Sequence, residues 1–61
     1  MTPTQRLAAL LLGEPVNQWI SLRRRNGVSW RAIAKELEAA TDGQIDVTYE
    51  TLRGWMDRDA A

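Results

Sequence analysis

Two helix starts of the same grammar, Val28-Ser29 and Val47-Thr48, limit what this chain can fold into more than any other feature. In each, a hydroxyl residue follows a valine, and an apolar residue, Ile33 or Leu52, stands at the fourth helical position. A capping hydroxyl satisfies the free N–H groups of a first turn, and an apolar pair across the cap fixes the angle at which the chain enters. The pattern predicts helices over about 30–41 and 49–57. On the first, Trp30, Ile33, Ala34, Leu37 and Ala40 share one side, with Arg31, Lys35, Glu38 and Ala39 opposite. Gly43 is a natural stop. On the second, Leu52, Trp55 and Met56 face one way and Tyr49, Glu50, Arg53, Gly54 and Asp57 the other. The stretch 28–56 therefore reads as two helices meeting through a turn.

The residues before it supply two more helices. Thr2, Pro3 and Gln5 read as an N-cap, a first-turn proline and the far side of a capping box, opening a helix over about 3–12 that Gly13 closes. Leu7, Leu10 and Leu11 form its apolar stripe, expected to face the core. Ala8 and Leu12 lie to one side and either complete the core edge or form a homodimer contact. Glu14 and Pro15 open a helix over about 15–25, with an acid near the positive end of the dipole and proline at or near the first helical position. Val16, Trp19, Ile20 and Leu22 supply its buried side, and Asn26-Gly27 ends it. The expected architecture is all-α, a small bundle of four short helices in one domain spanning 1–61. With no phenylalanine in the chain, Trp19, Trp30 and Trp55 are expected to carry the aromatic core; the other use for any of them is as a platform on which a ligand or base stacks. The tail from Arg58 to Ala61 reads as frayed.

Size and composition narrow the function classes. A chain of 61 residues hides only about 60% of its unfolded surface. Cysteine and histidine are both absent, which removes disulfides and the thiolate and imidazole metal ligands, leaving packing or oligomerisation as reinforcement. No apolar run approaches the roughly 20 residues that cross a bilayer, and Leu7–Leu12 is shorter than a secretory apolar core of about 7–15 residues. The expectation is a soluble cytoplasmic protein, with no membrane association. Catalysis needs a nucleophile beside a base, or a set of metal ligands, and here helix-borne Glu36 and Glu38 are most simply surface residues. Neither an enzyme nor a cofactor, metal or small-molecule ligand is expected.

The net charge is zero, but its distribution is polar along the chain. Residues 1–35 carry Arg6, Arg23, Arg24, Arg25, Arg31 and Lys35 against Glu14, whereas residues 36–61 carry Arg53 and Arg58 against seven acids. Arg23, Arg24 and Arg25 close a helix, where cations complement the dipole. Arg23 has a further use as a cover for the core, its stem on apolar atoms and its head in water.

The motifs A-I-A-K-E-L and V-T-Y-E-T-L-R-G-W, over about half the chain, resemble the homeodomain-like helix-turn-helix of bacterial and phage regulators, recombination factors and transposase domains. The arrangement is also similar to small helix-turn-helix proteins of actinobacterial phages. Between Leu37 and Val47 stands EAATDGQID, longer than the usual family connection, which implies a longer first helix and a longer turn. The turn either offers an insertion to DNA or accommodates the angle between the helices.

The resemblance implies sequence-specific binding of double-stranded DNA, as a phage-type transcription regulator or recombination accessory factor. Tyr49, Glu50 and Arg53 would then lie nearest the base edges, with Thr48 near a phosphate. An arginine can take both acceptors of guanine and a carboxylate can accept from cytosine, so a mixed reading face is workable. Arg24, Arg25, Arg31 and Lys35 would grip the backbone, the arginines beside the exposed amides at Ser29. So few cations favour a homodimer on two half-sites or cooperative assembly on DNA. The alternative is a helical protein-interaction module that docks on a host regulator or polymerase through its acidic half.

Overall fold

The computed structural model describes residues 2–60 and consists of four helices, α1 (Pro3–Leu12), α2 (Val16–Arg25), α3 (Trp30–Ala40) and α4 (Tyr49–Ala60). Among the described residues there is no strand, so the all-α expectation holds. The centre of the packing is α2, which lies against α1, α3 and α4, while α3 and α4 also pack on each other. One core joins them: Ala8, Val16, Trp19, Ile20, Ile33, Leu37, Ile45, Leu52 and Trp55 are buried, with Val28, Trp30, Ala34, Val47 and Met56 packed around the edge.

Local chemistry accounts for most of the boundaries. At the start of α1 the Thr2 hydroxyl accepts from the Gln5 N–H at 3.1 Å and the Thr2 N–H donates to Gln5 Oε1 at 2.8 Å, a complete capping box. The end of α2 is a Schellman turn: the Val28 N–H reaches back to the Arg23 carbonyl and the Gly27 N–H to that of Arg24, both at 3.0 Å, with Gly27 at φ 81°. Ser29 caps α3 by accepting from the Ala32 N–H at 3.2 Å. Pro15 is the N-cap of α2, whose first helical residue is Val16, one later than the expected start at about 15, and the Pro15 carbonyl takes the Trp19 N–H at 3.1 Å. Towards the other end α4 continues through Arg58 to Ala60, past the predicted end near 57; Ala61 lies outside the described residues.

Two apolar faces differ from expectation. On α1 two sets of residues each fall on one side of a helix, Gln5/Ala8/Leu12 and Leu7/Leu10/Leu11, and the first one faces the core. Gln5 can be buried because its amide is satisfied, its Nε2 donating to Asn17 Oδ1 on α2 at 3.3 Å. Leu7, Leu10 and Leu11 are consequently 41%, 80% and 38% exposed. Of the two uses weighed for Ala8 and Leu12, the packing shows the core edge and not the dimer contact: Ala8 is fully enclosed within its own chain, and Leu12 packs against the core. On α2 the buried stripe is Val16, Trp19 and Ile20, continued by the Arg23 stem, which leaves Leu22 off the stripe and 52% exposed.

The connection from α3 to α4 is built into the core. α3 ends at Ala40, Asp42 takes the left-handed conformation at φ 54°, and the Gly43 N–H reaches the Glu38 carbonyl at 2.7 Å. The helix thus stops ahead of Gly43, with Asp42 in the position usually held by glycine. Buried Thr41 donates its hydroxyl to the Leu37 carbonyl at 2.8 Å and accepts the Ile45 N–H at 3.1 Å. Ile45 itself is 1% exposed. The length of the turn serves packing, since it lowers an isoleucine into the space between the helices.

Candidate nucleic-acid interface

The predicted site residues sort into two groups according to what each side chain touches. Arg31 and Lys35 project from the outer face of α3, and Thr48, Tyr49 and Glu50 begin α4; together with Ala34 and Val47 they line one open groove of about 480 Å³. The Arg31 guanidinium lies over the Tyr49 ring, 5.4 Å from its centroid, so the groove has a cation stacked on an aromatic wall at one side. Ala34 and Val47 add apolar lining to the groove.

Glu50 links this groove to a second depression along the outward face of α4, lined by Glu50, Arg53, Gly54 and Asp57. The face is continuous because residues three and four apart on a helix are neighbours. Gly54 stands in the middle of α4, where glycine destabilises a helix, and a Cβ added there would meet nothing within 4 Å. No contact within the chain accounts for the glycine. The α4 start is held by a long capping bond, Thr51 N–H to Thr48 Oγ1 at 3.4 Å, and the two threonine hydroxyls lie 3.2 Å apart. Both threonines are exposed, and Thr51 is a polar side chain beside the predicted set that the search for a reading face missed. The signal available was the Thr-x-x-Thr spacing at a helix start.

The three arginines at the end of α2 part company. Arg23 lies flat on Trp19, 3.5 Å from the ring centroid, donates to the Trp19 carbonyl at 3.2 Å and pairs with Glu36 at 3.2 Å. It is the cover for the core that its amphipathic stem allows. Arg24 stacks over Trp30 at 4.7 Å and donates to the Val28 carbonyl at 2.9 Å, fastening the turn between α2 and α3. Arg25 is exposed and lines a recess with Ser21, Arg24, Trp30, Met56 and Asp57 between α2 and α4. Of the four predicted phosphate-gripping cations, Arg31 and Lys35 share the groove, Arg25 stands apart on the α2 side, and Arg24 is engaged in the fold.

Among the described residues no three carboxylates gather where a metal ion would be held, and no helix is long and apolar enough to cross a membrane. What the surface offers chemically is a set of hydrogen-bond donors and acceptors on a convex helix, with two cations beside it and a partly apolar groove at its start. No protein-family model matches the chain, and neither do any curated protein or solved structure.

Proposed function

We propose that this protein binds double-stranded DNA with the start and outward face of α4 in the major groove. The observation that carries this reading is the continuity of one surface: the groove holding Arg31, Lys35, Thr48, Tyr49 and Glu50 runs through Glu50 onto the face holding Arg53 and Gly54. A convex helix fits the major groove, about 12 Å wide, and neighbouring cations meet the phosphates that border it. In this reading Arg53 reads a base pair, Tyr49 and Glu50 face the adjoining bases, and Arg31, Lys35 and Thr48 take the backbone. Arg25 reaches a more distant phosphate. Gly54 allows the helix backbone to approach base edges closely. The protein would act as a phage-type transcription regulator or recombination accessory factor.

Selection of duplexes by the protein from a random pool, followed by affinity measurements on the winner, tests the reading. Arg53→Ala is expected to lose roughly 1–3 kcal/mol on the selected duplex and to relax preference at one position. Arg31→Ala is expected to weaken all duplexes alike and to flatten the salt dependence by about one unit of slope. Equal effects of the two changes on selected and random duplexes would contradict the assignment. Exposed Glu36, Glu38, Asp42, Asp46, Glu50 and Asp57 favour a second reading, a module docking on a basic protein surface. Failure to enrich any duplex at low salt would select it.

A further inference from the structure

We propose that Glu50 and Asp57 determine sequence specificity on the α4 face: the two carboxylates bracket Arg53 and admit a duplex only where a base offers an amino group to each. The inference rests on the DNA-binding reading above and adds to it what the acids on that face do. Glu50, Arg53 and Asp57 are exposed and follow one another at spacings of three and four residues on α4, so they form one row along the helix. All three line the same depression with Gly54, and among the described residues none of them forms an ion pair.

The row runs into cations at both ends. Glu50 also lines the groove that holds Arg31 and Lys35, and Asp57 also lines the recess that holds Arg25. Charge therefore alternates over the surface, from Arg31 and Lys35 through Glu50, Arg53 and Asp57 to Arg25. A stripe of cations alone would hold any stretch of phosphates. This order does not, because a phosphate that moves inward from either outer set of cations meets a carboxylate and is repelled.

The order matches instead a helix seated in a major groove, whose borders carry phosphates and whose floor carries base edges. In that seat Arg53 takes the two acceptors of guanine, and each carboxylate needs a donor. The donors that base edges present there are the amino groups of cytosine and adenine. A carboxylate set against an acceptor or a phosphate loses water without gaining a partner. The acids thus oppose the wrong sequence more than they favour the right one, and the face gains selectivity by repulsion as well as by contact.

Equilibrium binding of the whole chain to the selected duplex and to random duplex, at one salt concentration, tests this with Glu50→Gln and Asp57→Asn. Asp42→Asn is the control for a change of charge alone: Asp42 is exposed, lines neither the groove nor the depression, and has a left-handed backbone that asparagine also adopts. Glu50→Gln and Asp57→Asn are each expected to keep the wild-type helical circular dichroism spectrum, to tighten binding to random duplex roughly tenfold and to tighten binding to the selected duplex much less. Asp42→Asn is expected to leave the ratio of the two affinities unchanged. Selection repeated with either acid variant is expected to return the same guanine and to lose preference at one position beside it. A ratio that both acid variants leave unchanged would overturn the proposal, as would a narrowing that Asp42→Asn reproduces. Arg53→Ala separates that failure from failure of the reading beneath it: if it still relaxes one base preference while the acid variants change nothing, α4 reads DNA and the acids take no part. A pool from which the wild type enriches no duplex would overturn both.

Discussion

The backbone N–H of Ile45 donates to the buried hydroxyl of Thr41 at 3.1 Å, and the same hydroxyl donates to the Leu37 carbonyl at 2.8 Å. Through one oxygen the last turn of α3 is tied to the residue that carries the chain back into the core. α4 begins four residues after Ile45, capped by Thr48, with Tyr49 and Glu50 in the groove that also holds Arg31 and Lys35.

Thr41→Val keeps the shape and removes the oxygen, leaving the Ile45 N–H without its acceptor. A buried donor so orphaned costs about 1–3 kcal/mol, and in a domain of this size each kcal/mol is worth about 4–8 °C in Tm. Thermal unfolding followed by tryptophan fluorescence is expected to show that loss for Thr41→Val and a smaller one for Thr41→Ser, which retains the hydroxyl. Equal stability of Thr41→Val and the wild type would mean that the turn holds without the bond.

Ile45→Ala removes a fully enclosed side chain, which costs about 2–5 kcal/mol in a core that cannot collapse around the gap. A small domain has little stability in reserve. Denaturant titration is expected to place the variant near its unfolding midpoint in water, while Gln44→Ala next to it, exposed, stays within about 0.5 kcal/mol of wild type.

The neighbours Arg23 and Arg25 are expected to separate cleanly. Arg23→Ala loses the stacking on Trp19 at 3.5 Å and the bond to its carbonyl, and is expected to lower stability by about 1 kcal/mol. The exposed ion pair with Glu36 adds little to that figure. Arg25→Ala is expected to leave stability unchanged within about 0.5 kcal/mol and to reduce DNA affinity. The reverse order of stabilities would contradict the division of roles among the three arginines.

Gly54→Ala tests the outward face of α4 in two readouts at once. Alanine in a helix interior is favoured over glycine by about 0.5–1 kcal/mol, and a Cβ there has open space, so Tm is expected to rise. DNA affinity is expected to fall, because the added methyl stands where the backbone meets base edges. A more stable variant with undiminished affinity would show that DNA keeps clear of this part of the helix.

Much of this was legible in the sequence, and what was not has identifiable causes. Caps and staples are local, so the paired signals at Ser29 and Thr48 placed α3 and α4 within a residue of their starts. Helical periodicity placed Arg31, Lys35 and Tyr49 on the polar sides of their helices, but did not show that they share one groove. Periodicity failed on α1, where two sets of residues each fit one helix face and the choice fell to Gln5, whose burial depends on Thr2 and on Asn17 of another helix. It was silent on Ile45, which lies in a segment with no period, its N–H held by the Thr41 hydroxyl four residues earlier in a turn that no repeat announces. Arg23 was expected as a cover for the core and is one, whereas the hold of Arg24 on the α2–α3 turn was not foreseen. Its aromatic partner, Trp30, stands on α3 and comes under Arg24 only once the α2–α3 turn is formed.

The most direct test of the central claim is an amide chemical-shift titration of the labelled protein with short duplex DNA at low and moderate salt. The expected result is a set of shifts at Arg31, Lys35 and residues 48–57, with a weaker response at Arg25, all shrinking as salt rises. An unchanged spectrum, or diffuse shifts confined to the arginines at the end of α2, would contradict DNA reading by α4.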